Sequence, residues 1–209
     1  MIGVVDFGAG NTRSVLRALS AVGAPAFLAR RPEELRGAER LVLPGVGAAG
    51  SAVRVLRASG LWDEVRALAN DGRPLLGICL GAQLMLDGSD EDDAAGLALL
   101  PGRCRAFPAQ ADGGPRIVPH IGWNAVELHG GRRADAYFVH GYWLESSDPD
   151  AVAGTTEVDG FRFPSLLRRG HLTAVQFHPE KSGGFGRALL GAFATGLLDR
   201  SRAGVATWT

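Results

Sequence analysis

Lysine is nearly absent from this 209-residue chain: it occurs once, at Lys181, among 22 basic residues that are otherwise arginine. These are matched by 22 acidic residues, for a formal net charge of zero. A balanced chain with no basic stripe interleaved with aromatics argues against nucleic acid as a partner. Cysteine is scarce too. Cys79 and Cys104 allow at most one bridge, a usage that fits a reducing cytosol better than secretion. No apolar run approaches the roughly 20 residues of a membrane span, and the start lacks the basic region of a signal peptide, so no membrane contact and a cytoplasmic location are expected. No Cys and His spacing suits zinc, no metal or cofactor is implied, and no internal repeat is visible. Gly45, Gly47 and Gly50 fit the bare dinucleotide-binding pattern, but Pro44 and the missing acidic ribose ligand argue against that use. With 46% hydrophobic residues, the length suits one well-buried domain and is short for two.

What is present is an alternation of strand-like and helix-like segments. Residues 2–6 read as a buried first strand, followed by a helix with Val15, Leu16, Leu19 and Val22 on one face. Ala24 to Leu28 and Leu41 to Leu43 read as strands. A helix from about Trp62 buries Trp62, Val65 and Leu68 and ends near Asp71-Gly72, ahead of a buried strand at Pro74 to Ile78. From about 100 to 176 the pattern changes to short β-like runs split by Gly and Pro. A final helix turns Phe185, Leu189, Leu190, Phe193 and Leu197 inward. This order predicts an α/β fold, with a mostly parallel central sheet flanked by helices, a β-rich insertion, and ligands at the carboxyl ends of the strands. One domain over 1–198 is expected, with 199–209 as a tail whose Val205 and Trp208 have no assigned place. The acidic run Asp87, Asp90, Glu91, Asp92, Asp93 reads as a solvated loop.

The chemistry concentrates in two places. Gly77-Ile78-Cys79-Leu80-Gly81 sets a thiol on a sharp strand-to-helix turn, where small flanking residues avoid collisions and helix amides favour an anionic nucleophile. Far downstream, Gln176-Phe177-His178-Pro179-Glu180 follows another apolar run. A cysteine nucleophile needs a base to carry its proton, and the base needs an acceptor to orient it. Pro179 keeps His178 extended, so residues two apart project to one side and Glu180 reaches the imidazole. Gln83, one helical turn beyond Cys79, shares the face of the thiol. Attack of a thiolate on a carbonyl also requires donors for the tetrahedral oxyanion. The residue after an elbow nucleophile, Leu80, supplies one, and glycine on both sides of Val46 lets a peptide plane there rotate at low steric cost.

Cys79, His178 and Glu180 resemble the triad of class I glutamine amidotransferases. Asp6-Phe7-Gly8-Ala9-Gly10-Asn11, Pro44-Gly45-Val46-Gly47, Pro119-His120-Ile121-Gly122-Trp123-Asn124, Tyr137-Phe138-Val139-His140 and Val175 to Ser182 narrow the likeness to the family of glutaminase subunits of imidazole glycerol phosphate synthase, from residue 2 to about 198. The resemblance implies the flavodoxin-like fold of that class. It also implies hydrolysis of glutamine to glutamate and ammonia, and transfer of the ammonia through a tunnel to a (β/α)₈-barrel cyclase subunit that makes imidazole glycerol phosphate and an aminoimidazole carboxamide ribonucleotide in histidine biosynthesis. Carried over residue by residue, it assigns the second oxyanion donor to the Gly45-Val46-Gly47 segment and glutamine contacts to Gln83, His140, Gly141 and Tyr142. Asn11, Pro119, His120, Trp123 and Lys181 fall at the docking face.

The chain departs from the family pattern at Ala82, where methionine is usual, at Gly141, where serine or threonine is usual, and at Val158, where tyrosine is usual. A paralogous glutaminase serving another synthase, and a silent binding subunit, remain the alternatives. The intact triad speaks against the second.

Overall fold

The structure is a computed structural model that describes residues 1–8, 11–111 and 114–199. In chain order its elements begin with β1 (Ile2–Val5), α1 (Thr12–Ala21), β2 (Ala26–Ala29), α2 (Pro32–Arg36), β3 (Arg40–Gly45), α3 (Ala49–Ala58), α4 (Leu61–Asn70), β4 (Leu75–Cys79) and α5 (Leu80–Leu84). There follow β5 (Gly88–Ser89), β6 (Gly102–Ala106), β7 (Gln110–Ala111), β8 (Gly114–Pro115), β9 (His120–Leu128), β10 (Arg133–His140) and β11 (Tyr142–Ser146). The last are β12 (Val152–Val158), β13 (Phe161–Arg169), β14 (Leu172–Val175) and α6 (Gly183–Thr195).

Nine strands form one sheet in the order β10-β9-β12-β13-β14-β4-β3-β1-β2. From β14 to β2 neighbours run parallel; from β10 to β14 they run antiparallel. The β-rich middle of the chain therefore extends the central sheet as an antiparallel wing, while β5, β6 and β11 form a separate small sheet. Residue parity sorts the core. Leu41 and Leu43 of β3 join one apolar cluster with residues of α2, α3 and α4, whereas Val42 joins a second with residues of α1 and α6. Successive strand side chains point to opposite faces, so the two clusters are the two faces of a doubly covered sheet.

Two helices, α2 and α3, lie where no helix is expected from the apolar pattern. The first is only five residues long, and α3 carries its buried Ala49, Ala52, Val53 and Leu56 in an alanine-rich stretch. One inward assignment is corrected. Leu197 is 52% exposed, and Leu198 is buried in its place. Gly196 ends α6 in the left-handed region at φ 77°, and this breaks the helical phase that the assignment assumed. Val205 and Trp208 lie outside the described residues, as do Ala9 and Gly10. Among the described residues no helix is long and apolar enough to cross a membrane.

Candidate active site

Cys79 closes β4 and caps α5 with φ 52° and ψ −111°, a conformation that costs a non-glycine residue energy and persists only where its surroundings enforce it. The surroundings do so by packing without clearance. A Cβ at Gly81 would run into the Leu43 carbonyl, and one at Gly77 would sit 2.8 Å from the Ala82 Cα. The glycines thus let α5 turn directly against β3. In register, Gly45 pairs with Cys79 and Val175 with Ile78, so the ends of β3, β4 and β14 converge at one edge.

His178 follows β14, and its Nδ1 lies 2.8 Å from Glu180 Oε1, with both side chains sealed at 2% and 1% exposure. Pro179 starts a short 3₁₀ turn over Pro179–Lys181, which corrects the extended reading of this segment: the turn, together with the extended backbone of His178, brings the carboxylate back to the ring. The His178 backbone is clamped on both sides. The His178 N–H donates to the Tyr137 carbonyl at 2.9 Å. The Ser182 hydroxyl donates to the His178 carbonyl at 2.6 Å and accepts from the Tyr137 N–H at 3.0 Å. His178 Nε2 is buried without a hydrogen-bond partner. Burial alone would lower the imidazole pKa; the Cys79 sulfur and the Glu180 carboxylate outweigh it and lift the pKa to about 9.

Gly45 lies against α5, where an added Cβ would meet Leu80 Cβ at 3.0 Å and the Gly81 nitrogen at 3.2 Å. Gly47 takes φ 98°, which glycine adopts without the penalty of a side chain. Val46 between them is 42% exposed. Leu80 opens α5, so its N–H has no acceptor within the helix. The sheet edge therefore brings a thiol, an imidazole, a buried carboxylate and two sources of amide donors to one place.

The acidic run has exposed members but is not a free loop. Glu91 accepts from the Ala49 N–H at 2.8 Å and Asp92 from the Gly50 N–H at 3.3 Å, stapling the start of α3 just after the Gly45–Gly47 segment. Asp90 and Asp93 pair with Arg103, and Asp90 also with Arg105. Among the described residues no group of three or more His, Cys, Asp or Glu is placed to hold a metal ion.

Gln83 is buried, donating to the Gln176 Oε1 at 3.2 Å and to the Tyr142 carbonyl at 3.3 Å. Gln176 in turn donates to the Cys79 sulfur at 3.8 Å. Its role is missed by a reading centred on His178, although strand parity sets residues 176 and 178 on one side. Gly141 has room beside it, an added Cβ meeting only Val118 Cγ1 at 3.5 Å.

The residues assigned to the docking face separate into two groups. Trp123, at 59% exposure, shares one side of β9 with the exposed Ile121, and Lys181 Nζ sits 5.4 Å over the Tyr137 ring that Trp123 meets edge-on; Ile117, Val118 and Pro119, which precede β9, are exposed as well. Asn11 instead donates to Glu180 Oε1 at 3.1 Å, and His120 turns inward onto His140. Cys104 is fully buried in β6, and burial pushes its thiol up to about 12, far from the reactive range.

Residues 3–194 match the family model described as "Glutamine amidotransferase class-I". The chain is similar to the imidazole glycerol phosphate synthase subunit HisH of Geobacillus thermodenitrificans, at 42% identity over 92% of this chain and 94% of that protein. The subunit of the same name from Desulfovibrio desulfuricans is 44% identical, covering 92% and 93% of the two chains. That from a strain of Nitratidesulfovibrio vulgaris is 42% identical, covering 97% and 100%. Among solved structures, one described as "Crystal structure of glutamine amidotransferase" superposes with a TM-score of 0.74 over 93% of this chain and 98% of the other, at 24% identity, a likeness of fold.

Proposed function

The chain belongs to the class I glutamine amidotransferases and, within them, to the HisH subunits of imidazole glycerol phosphate synthase, and from that premise we propose how its site works. It is the glutamine-hydrolysing subunit of that synthase, in histidine biosynthesis. The observation that carries the mechanism is the enforced Cys79 turn facing an imidazole bonded at 2.8 Å to a buried carboxylate.

The Cys79 thiolate attacks the carboxamide carbon of glutamine, and the carbonyl π pair moves onto oxygen. The Leu80 N–H and an N–H of the Val46–Gly47 segment receive that oxyanion. When the tetrahedral adduct collapses, the C–N bond breaks and the His178 imidazolium gives its proton to the leaving nitrogen, which departs as ammonia. His178 then takes a proton from water, whose oxygen attacks the thioester carbon. The C–S bond breaks, and glutamate and the free enzyme are restored. Glu180 orients the ring and stabilises its charged form. Gln83, His140, Gly141 and Tyr142 line the glutamine pocket.

Ammonia released into bulk water would be protonated and lost, so we place a (β/α)₈-barrel cyclase subunit over the exposed Trp123 face, receiving ammonia through a tunnel, in the cytoplasm. The exposed Ile121 and Trp123 on one side of β9 suit the apolar core of a subunit interface. The Gly45–Gly47 segment serves as a gate: its peptide turns toward the oxyanion when the partner and its nucleotide are bound. One missing oxyanion donor costs on the order of 10²–10³ in rate. Glutaminase turnover of the purified chain should therefore rise by that order on adding the cyclase with its nucleotide substrate or an analogue. Equal turnover in both states would mark an autonomous hydrolase.

A further inference from the structure

A chain of hydrogen bonds runs from the inward side of β9, the side opposite Trp123, to the nucleophile, and chemistry fixes its direction. The Tyr142 carbonyl can only accept, so the contact of 2.7 Å with His140 Nδ1 places a proton on that nitrogen. Burial drives His140 to the neutral form, its pKa lowered to about 3, so its Nε2 carries a lone pair. The 3.0 Å contact between His140 Nε2 and His120 Nδ1 then requires the proton on His120 Nδ1. His120 is also pushed toward neutrality by burial, which leaves its Nε2 as an acceptor facing the Asn124 amide at 3.5 Å. From the other side, Gln83 donates to the same Tyr142 carbonyl and to Gln176, which donates to Cys79. The rings are held by packing as well: His120 stacks on Phe138 at 5.0 Å, and Phe107 lies 5.3 Å from His140.

We propose that His120 is a positioning residue for glutamine hydrolysis: through His140 it fixes the Tyr142 carbonyl and hence the Gln83 amide, coupling the seating of β9, whose other side carries Trp123, to the pocket beside Cys79. The proposal rests on the reading that a cyclase subunit docks at the Trp123 side and stimulates turnover. His120 is one end of the chain. It sits in the same strand, β9, as Ile121 and Trp123, with its ring on the opposite, inward side. The other end matters because Gln83 belongs to α5, the helix on which the Gly45 backbone rests. No carbonyl can donate, so the chain cannot reverse. A partner group that moves His120 must either keep its Nδ1 proton on His140 or break the chain.

The test compares stimulation ratios, glutaminase turnover at saturating cyclase and nucleotide divided by turnover of the chain alone. His120→Leu removes the donor and should lower the ratio about tenfold, while His120→Asn, whose amide N–H stands near the Nδ1 position, should restore it. Asn124→Leu reads the same ratio from the chain's surface end and should lower it severalfold, which keeps the test open if His120→Leu misfolds. Proportional loss in both states leaves the ratio intact, assigns His120 a purely structural role and overturns the proposal. So does equal loss of ratio in the Leu and Asn variants, since the donor would then be irrelevant. If the wild-type complex itself shows no stimulation, the gating reading fails first, and that outcome is distinct from a stimulated wild type with an unaltered His120→Leu ratio.

Discussion

His178, just beyond β14, and His140, at the end of β10, are two sealed histidines that settle on opposite sides of neutrality. Burial pushes both toward the uncharged form. At His178 the Cys79 sulfur and Glu180 reverse that push, to about 9. At His140 desolvation leads, the His120 and His178 rings push the same way, and the Tyr142 carbonyl alone opposes them, so the pKa falls to about 3. The difference shows that depth does not decide the charge of a buried imidazole. An anionic partner does. One region can therefore move protons during hydrolysis, while the other serves as a directed, uncharged strut.

Removing the sulfur breaks the first region outright. Cys79→Ala should abolish glutamine-dependent synthesis in the complex, while synthesis fed with ammonium salts survives. Loss of both would mean that the two chemistries are not divided between subunits. A glutamine-analogue electrophile should label Cys79 and spare Cys104, whose burial raises its pKa.

Next in size come the two partners of the imidazole. His178→Ala should cost on the order of 10²–10⁴-fold in turnover, the range for a positioned proton-transfer group. Glu180→Gln should cost less, because it leaves an acceptor near Nδ1 and removes only the charge. The pH dependence separates them. A raised imidazole pKa stabilises the charged form, so the stabilisation is complete below the ordinary value near 6.5 and is lost as pH rises through about 9. Turnover should fall over the same alkaline limb as the leaving nitrogen loses its proton donor. In Glu180→Gln that limb should move toward lower pH; a limb that stays in place would assign the lift to the sulfur alone.

The two regions also differ in how openly the sequence displays them. Cys79 and its glycines form one contiguous motif, because an elbow is a local backbone event and each glycine answers a local collision. His178 and Glu180 lie within one pentapeptide, and only the route of their contact differs from the sequence expectation, a 3₁₀ turn replacing an extended segment. The antiparallel wing is different. His120 faces His140 because β9 and β10 pair in that register, a relation 20 residues long that no local spacing encodes. The staple of Glu91 and Asp92 onto α3 is equally non-local, which is why the acidic run read as solvated. Leu197 faces outward for a third reason: helical phase does not continue through Gly196, where the helix ends.

The second region is tested at acid pH. A lowered imidazole pKa favours the neutral form, so the stability is fully present above about 6.5 and is lost as pH falls toward about 3. Each bound proton steepens this loss by up to about 1.4 kcal/mol per pH unit. His140→Gln removes the titration, and its denaturation midpoint should fall less than that of the wild type between pH 6.5 and 4.5. Parallel curves for the two proteins would place the acid sensitivity elsewhere.

The smallest expected effect lies between the two regions, at Gly141. The resemblance leads one to expect a hydroxyl here, and this chain carries none. Space is not the reason, since an added Cβ would make only an ordinary contact with Val118 Cγ1 at 3.5 Å. A serine side chain there could reach substrate without moving Tyr142, whose carbonyl is already held by Gln83 and His140. One added neutral hydrogen bond contributes about 1 kcal/mol, or roughly fivefold in affinity. Gly141→Ser should therefore lower the KM for glutamine a few-fold at unchanged kcat, because such a contact stabilises ground and transition states alike. A matching rise in kcat would mean that the hydroxyl acts on the reacting amide. An unchanged KM would assign the contribution of this position to its backbone, which glycine already provides.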